Sequence, residues 1–326
     1  MANIAQSRWL YVGLVVLQTI IFGSGSAITK LAYDSITPLW CQVFRFGLAT
    51  LVFGVAFGPR ILRQLRAVRL RDWVPAAVCM AVAFLACNVA LAFTTATNVG
   101  FLVALPVVFT PILASIANRC RYPVAFVPFQ VAVVAGLYLL CSNGGSLSFG
   151  LGEALALLGA ASTAGALVFG AHGLQKLDAV TIAGTQIAAS FALSIVCAVA
   201  MEPMVDVTAV QPIAWGTIAF LALLSTCLTF LLQNWALLAL KPSTVSMLLT
   251  GEPVFTALFS FVILGETLSA VGMAGAVIIV AATLAATYLE GRQSEAAPTE
   301  QASETAISPE PRTTRFSLRR FARSRG

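Results

Sequence analysis

Residues 243–264 read STVSMLLTGEPVFTALFSFVIL, an apolar run whose only charge is Glu252, set between Gly251 and Pro253. A helix needs about 20 such residues to cross the hydrocarbon core of a bilayer. A charge at the centre of a span costs about 2.5–3.5 kcal/mol on insertion scales. The stretch therefore reads as a membrane span with a break and a charge retained for a purpose. Nine more runs accompany it, at 9–29, 38–57, 73–93, 98–118, 123–141, 151–172, 180–201, 212–240 and 269–289. None shows the short alternating pattern of barrel strands. The expected fold is an all-α polytopic membrane protein with ten transmembrane helices.

Composition agrees. Hydrophobic residues make up 59% and charged residues 10% of the 326, with mean hydropathy +0.91. A soluble domain carries about a quarter charged residues, so this chain cannot wet its own surface. A cytosolic enzyme, a disulfide-rich secreted module and a disordered scaffold are excluded. The seven cysteines form no Cys-x-x-Cys pair and read as small packing hydrophobes. The pI near 9.1 does not point to nucleic acid, because 17 of the 19 basic residues fall on one side of the spans. They include Arg60 to Arg71, Arg119, Arg121, Lys176, Lys241 and the tail arginines. By the positive-inside rule that side is the cytoplasm. Both termini are expected there, in an inner or plasma membrane. Residues 290–326, rich in Glu, Ser, Thr, Pro and Arg, read as a disordered cytoplasmic tail.

Ten spans divide into five and five, and an odd number inverts the second set relative to the first. Short matches recur in order: Leu105-Pro106-Val107-Val108-Phe109-Thr110 against Glu252-Pro253-Val254-Phe255-Thr256, and Lys30-Leu31 before Asp34 against Lys176-Leu177-Asp178. The expected units are residues 1–141, residues 142–289 as the inverted copy, and the tail. Breaks are expected in four spans: at Gly23-Ser24-Gly25-Ser26, at Pro106 and Pro111, along Gly159, Gly165, Gly170 and Gly173, and at Gly251 with Pro253. Paired breaks in corresponding spans mark the binding site of secondary transporters, while close helix packing through small residues is the other reading of the glycines.

Several segments resemble the drug/metabolite transporter superfamily, in its ten-span exporter branch of two EamA-type domains. They are Phe22-Gly23-Ser24-Gly25, Ile28 to Ala32, Phe44-Arg45-Phe46, Thr97-Asn98-Val99 through Phe109-Thr110-Pro111, and Glu252 to Thr256 with Leu264-Gly265-Glu266. The ending Asn118-Arg119-Cys120-Arg121 departs from the Gly-Glu that such domains often repeat there. The resemblance covers residues 9–289. It implies export of metabolites, often amino acids, or of drugs from a central cavity lined by spans one, three, four, six, eight and nine.

The residues expected to bind substrate are the polar and aromatic ones on those spans: Gln18, Phe22, Ser24, Asn88, Asn98, Phe101, Ser162, Phe169, His172, Asn234 and Thr250. Gln18, Phe22, Gly25 and Thr29 share one helical face, and so do Ser162, Gly165, Phe169 and His172. Interhelical hydrogen bonding is the alternative for each amide, and His172 doubles as a span-boundary residue. Among the charges, Glu252 reads as a proton carrier or a fixed partner, Arg45 as a structural or coupling charge, and Lys30 as a snorkelling end or a guide for a carboxylate. An amphipathic solute such as an aromatic or other apolar amino acid suits these stripes. Organic cations are the alternative cargo. A membrane-embedded enzyme lacks the His-Glu-x-x-His or paired aspartates it would need, and nothing suggests a channel filter. No cofactor, metal or nucleic acid is expected. The partners are a small-molecule substrate and the bilayer, with a monomer sufficing.

Overall fold

The computed structural model describes residues 2–29, 31–90, 93–94, 96–119, 121–122, 124–142, 150–264 and 269–306. They form thirteen α-helices and, among the described residues, no strand. In chain order these are α1 (Ala2–Thr29), α2 (Pro38–Ala67), α3 (Val74–Ala90), α4 (Ala96–Val103), α5 (Pro106–Asn118), α6 (Val127–Ser142), α7 (Leu151–Gly173), α8 (Ala179–Met201), α9 (Pro212–Ala222), α10 (Thr229–Ala236), α11 (Pro242–Leu249), α12 (Glu252–Leu264) and α13 (Ala270–Ala306). Eight stretches are long and apolar enough to cross a membrane, and Val74–Ala90 and Val124–Leu140 are shorter apolar helices. The last helix runs to Ala306, into the stretch read from sequence as disordered.

Prolines set many of the helix starts. Pro38, Pro106, Pro212 and Pro242 each stand in a first turn, and Pro253 is the second residue of α12. A first-turn amide has no intrahelical partner to lose, so proline costs nothing there. Two expected breaks are present, Ala104 and Leu105 separating α4 from α5 and Thr250 and Gly251 separating α11 from α12, but α5 continues through Pro111, where a second interruption was expected.

The other two expected breaks are corrected by the structure. Both α1 and α7 are continuous through their glycines. The reason is packing. A Cβ on Gly23 would meet Phe255 Cβ at 2.6 Å, and one on Gly25 would meet Ser225 Oγ at 2.8 Å. In α7, Cys87 Sγ fills the space at Gly159 and Cys79 Sγ that at Gly165. The glycines let α1 press on α12 and on the segment between α9 and α10, and let α7 press on α3.

The bundle has apolar clusters inside, buries polar side chains among them, and is apolar on its outer face as well. Gln18, Gln186, Ser190, Ser194 and Asn234 are buried, while Leu51, Val131, Val262 and Val277 are exposed and Val55 is 79% exposed. Soluble proteins rarely expose so much contiguous apolar surface. This outer face is one that lipid covers. Within the bundle α2 lies along α8, α3 along α7 and α8, and α1 against α10, α11 and α12.

Candidate functional site

The interior charge Arg45 organises the centre of the bundle. Between α9 and α10 the chain makes a π-helical turn, Leu223–Leu228. Such a turn shifts the backbone hydrogen-bond ladder by one residue, which leaves carbonyls available to other donors. Arg45 uses one of them. Its Nη2 donates to Ser225 O at 2.7 Å and to Ser225 Oγ at 3.3 Å, and its Nε donates to Thr226 Oγ1 at 2.7 Å. Thr226 in turn donates to Leu221 O at 2.9 Å, five residues back. The guanidinium carbon lies 5.5 Å from the Phe46 ring centre and 5.4 Å from that of Phe84, within cation–π range. A half-buried cation is thus held by neutral oxygens and ring faces.

Glu252, the first residue of α12, belongs to the same neighbourhood. Gly251 beside it packs on Thr19, Gly23 packs on Phe255 one turn further on, and Gly25 packs on Ser225, to which Arg45 is bonded. Arg45, Phe84 and Cys87 come from the first half of the chain, Ser225, Thr226 and Glu252 from the second. Ser225, Thr226, Phe84 and Cys87 were not singled out from sequence. The one signal for them was the hydroxyl pair Ser225-Thr226 in an otherwise apolar stretch.

The remaining expected site residues scatter around this centre. Asn88 donates Nδ2 to Phe84 O at 2.9 Å, and Ser24 donates to Ile21 O at 2.8 Å, each within its own helix. Phe22 packs on the cluster around Phe46 and Phe230. Ser162 and Phe169 are half-buried on α7. Thr250 is buried and donates to Met247 O at 2.5 Å, closing the last turn of α11. Phe101 is buried in the cluster of α4, α5 and α6, edge-on to Tyr138 at 6.3 Å between ring centres. His172 Nε2 and Asn118 Oδ1, at 2.8 Å, tie the ends of α7 and α5. Lys30 and the side chain of Asn98 lie outside the described residues.

Gln18 and Asn234 enter a buried amide cluster. Gln18 Nε2 donates to Gln233 Oε1, and Asn234 Nδ2 to Gln186 Oε1, both at 2.9 Å. Each of the four amides is left with one atom buried and unmatched: Gln18 Oε1, Gln233 Nε2, Asn234 Oδ1 and Gln186 Nε2. Two are acceptors and two are donors, so the cluster is balanced but half-satisfied. It joins α1, α8 and α10.

Polar clasps close both ends of the α2–α8 pair. At one end Glu202, just past α8, takes Thr37 Oγ1 at 2.5 Å, Leu39 N at 3.1 Å and Trp40 N at 3.2 Å. A carboxylate from another helix thereby caps α2, at the end where the helix dipole favours negative charge. At the other end Asp178, the N-cap of α8, accepts from Thr181 N, from Gln64 Nε2 and from Arg60 Nε. Burial alone would raise the Asp178 carboxyl, but the hydrogen bonds from Thr181, Gln64 and Arg60 outweigh it and hold it below the usual carboxylate range. Nearby, a hydrogen bond from Lys176 Nζ at 2.8 Å lowers Asp72 in the same way.

Comparison with known proteins shows what this chain is similar to. Residues 150–288 match the EamA-like transporter family. A protein of Archaeoglobus fulgidus, named only as an uncharacterized transporter, is 28% identical over 84% of this chain and 85% of its own length. The threonine/homoserine exporter RhtA of Escherichia coli K12 is 27% identical over 88% of this chain and 94% of its own. A crystal structure at 18% identity superposes with a TM-score of 0.73 over 87% of this chain and 98% of that one, a likeness of fold. Over residues 150–288, then, this chain is similar to the EamA-like transporter family, and along most of its length it is similar to proteins named as transporters.

Proposed function

We propose that the protein is a secondary transporter that exports small metabolites, amino acids foremost, by alternating access. In this reading the helices make ten spans as two inverted five-helix repeats, residues 1–141 and 142–289, with both termini in the cytoplasm. The two broken spans, α4–α5 and α11–α12, hold corresponding places in the two repeats, as discontinuous helices do in transporters of inverted design. The observation that carries the proposal is the Arg45 centre. A cation from the first half is bonded to the π-helical turn of the second, near a broken span whose second segment begins with a carboxylate. Intramembrane charges are retained for transport and relay rather than for stability. The family match over 150–288 fits the second repeat, and the name of RhtA supports amino acids as cargo.

The test is counterflow in proteoliposomes with labelled L-threonine, L-homoserine, L-phenylalanine and tetraphenylphosphonium. Saturable uptake of at least one amino acid is expected. Uptake of the cation alone overturns the amino-acid assignment, and uptake of none overturns the export reading.

A further inference from the structure

The last turns of α2 carry different chemistry on their two sides. The helix has 30 residues, about 45 Å at 1.5 Å per residue, against about 30 Å for the hydrocarbon core of a bilayer. Its end therefore lies at headgroup depth. At about 100° per residue, Arg60 and Gln64 fall on the side toward α8, where both bond to Asp178. Leu51, Val55, Leu62 and Arg66 fall on the opposite side, with Arg63 next to Arg66, and all five are exposed. The apolar face that lipid covers thus runs directly into two arginines.

The chain beyond α2 continues the pattern. Arg69 and Arg71 are exposed on either side of Leu70, itself 69% exposed, and Trp73 follows half-buried. Residues 58–72 and 173–178 hold six basic side chains, Arg60, Arg63, Arg66, Arg69, Arg71 and Lys176, against two acids, Asp72 and Asp178, a net charge of +4. Both acids are already engaged, Asp178 by Arg60 and Asp72 by Lys176. Among the described residues, Arg63, Arg66, Arg69 and Arg71 form no ion pair. A merely solvated loop gains nothing by exposing Leu62 and Leu70 among these cations. A loop that meets lipid gains twice, because leucine enters the acyl boundary and the guanidinium fork matches phosphate. In the orientation proposed above this end faces the cytoplasm, whose leaflet carries anionic lipid.

We propose that Arg63, Arg66, Arg69 and Arg71, with Leu62 and Leu70, form a binding surface for the phosphate headgroups of anionic phospholipids. The surface stands apart from the Arg45 centre and does not depend on which solute is carried.

The test titrates the full chain, in micelles of an uncharged detergent, with short-chain phosphatidylglycerol, short-chain phosphatidylcholine and inorganic phosphate. A ligand that binds the folded state raises the thermal unfolding midpoint. Phosphatidylglycerol should do so at concentrations at least tenfold lower than phosphatidylcholine, and the difference should shrink as salt is added. The variant R63Q/R66Q/R69Q/R71Q should lose the preference while its response to phosphatidylcholine stays as in the wild type. If that variant fails to fold, R63Q/R66Q should lower the preference about fivefold for each arginine removed, the effect of one basic residue near an anionic surface. The tail carries arginines too, so R315Q/R319Q/R320Q/R323Q serves as the control and should keep the preference. Equal responses of the wild type to the two lipids overturn the proposal. So does a loop variant that keeps the preference or a tail variant that loses it. Inorganic phosphate that protects at the same concentrations as phosphatidylglycerol overturns it in favour of a site for free anions.

Discussion

A methyl group added at Gly23 would sit 2.6 Å from Phe255 Cβ and 2.8 Å from the backbone nitrogen of Thr256. Backbone cannot swing aside as a side-chain tip can, so Gly23→Ala must push α1 away from α12. Overpacking of this kind costs about 1–3 kcal/mol, and the midpoint of thermal unfolding in detergent should fall accordingly. Gly13, on the same helix, has nothing within 4 Å of its would-be Cβ. There alanine gains helix propensity of up to about 1 kcal/mol, and the midpoint should hold or rise. From sequence the two glycines look alike, and so do a glycine that breaks a helix and one that lets helices touch. The difference lies in a partner more than 200 residues away. The amides pose the same difficulty. Gln18 is legible as a polar residue inside a span, but its bond to Gln233 is not. Gln18→Leu should strand the Gln233 amide and destabilise by about 0.6–1.7 kcal/mol, the range seen for interhelical bonds in membranes. Adding Gln233→Leu should recover part of that loss, because two apolar partners leave nothing unsatisfied. A double-mutant cycle on unfolding midpoints measures the difference, and additivity would show that the pair does not interact.

Helix positions were the most legible part of the chain, because hydropathy over about 20 residues reports burial in lipid directly. Breaks were half legible. Pro106 and the pair Gly251 and Pro253 mark true interruptions, since a proline can begin a helix but not continue one cheaply. The π-helical turn at Leu223–Leu228 carries neither Pro nor Gly, and its partner Arg45 lies on α2. No local pattern could announce it. The clasps at the ends of α2 and α8 are likewise tertiary, although Asp178 is a recognisable N-cap. Because the Asp178 carboxyl is held below its ordinary range, the folded state favours its charged form. Its contribution is therefore complete above the unfolded value, near pH 4, and is lost as the pH falls through the lower folded value. Asp178→Asn should lower the unfolding midpoint at pH 7 and leave the variant less sensitive than the wild type to acid below about pH 4. The partly exposed Arg60 pair by itself should account for no more than about 1 kcal/mol of this. An unchanged acid limb in the variant would show that the carboxyl does not carry the clasp.

At the scale of the molecule the two clasps limit how the halves can move. The start of α2 is capped by Glu202 at the end of α8, and Arg60 and Gln64 near the end of α2 hold Asp178 at the start of α8. Separating these helices at either end breaks several hydrogen bonds, among them ones to a charged carboxylate, each worth more than a neutral bond. Between the ends Gln42 Nε2 donates to Ser194 Oγ at 2.9 Å, and Gly47 and Gly184 admit Phe191 and Ile61 into close contact. In the alternating-access cycle proposed above, the pair is therefore expected to travel as one body, with access opening along other seams. The interface of α1 with α10 through α12 is the best candidate, because its amides are half-satisfied and its contacts are built on small residues. Cross-linking offers a direct measure. Cysteines placed at Thr37 and Glu202 and joined by a short flexible bis-methanethiosulfonate, which forms a disulfide with each thiol and releases methanesulfinate, should leave counterflow within about twofold of the uncrosslinked double variant, since a body that moves as a unit is not restrained by an internal tie. The same reagent across Gln18 and Gln233 should stop transport, and reduction should restore it. Arrest by the first link with continued turnover under the second would place the moving seam between α2 and α8 and make the clasps gates rather than braces.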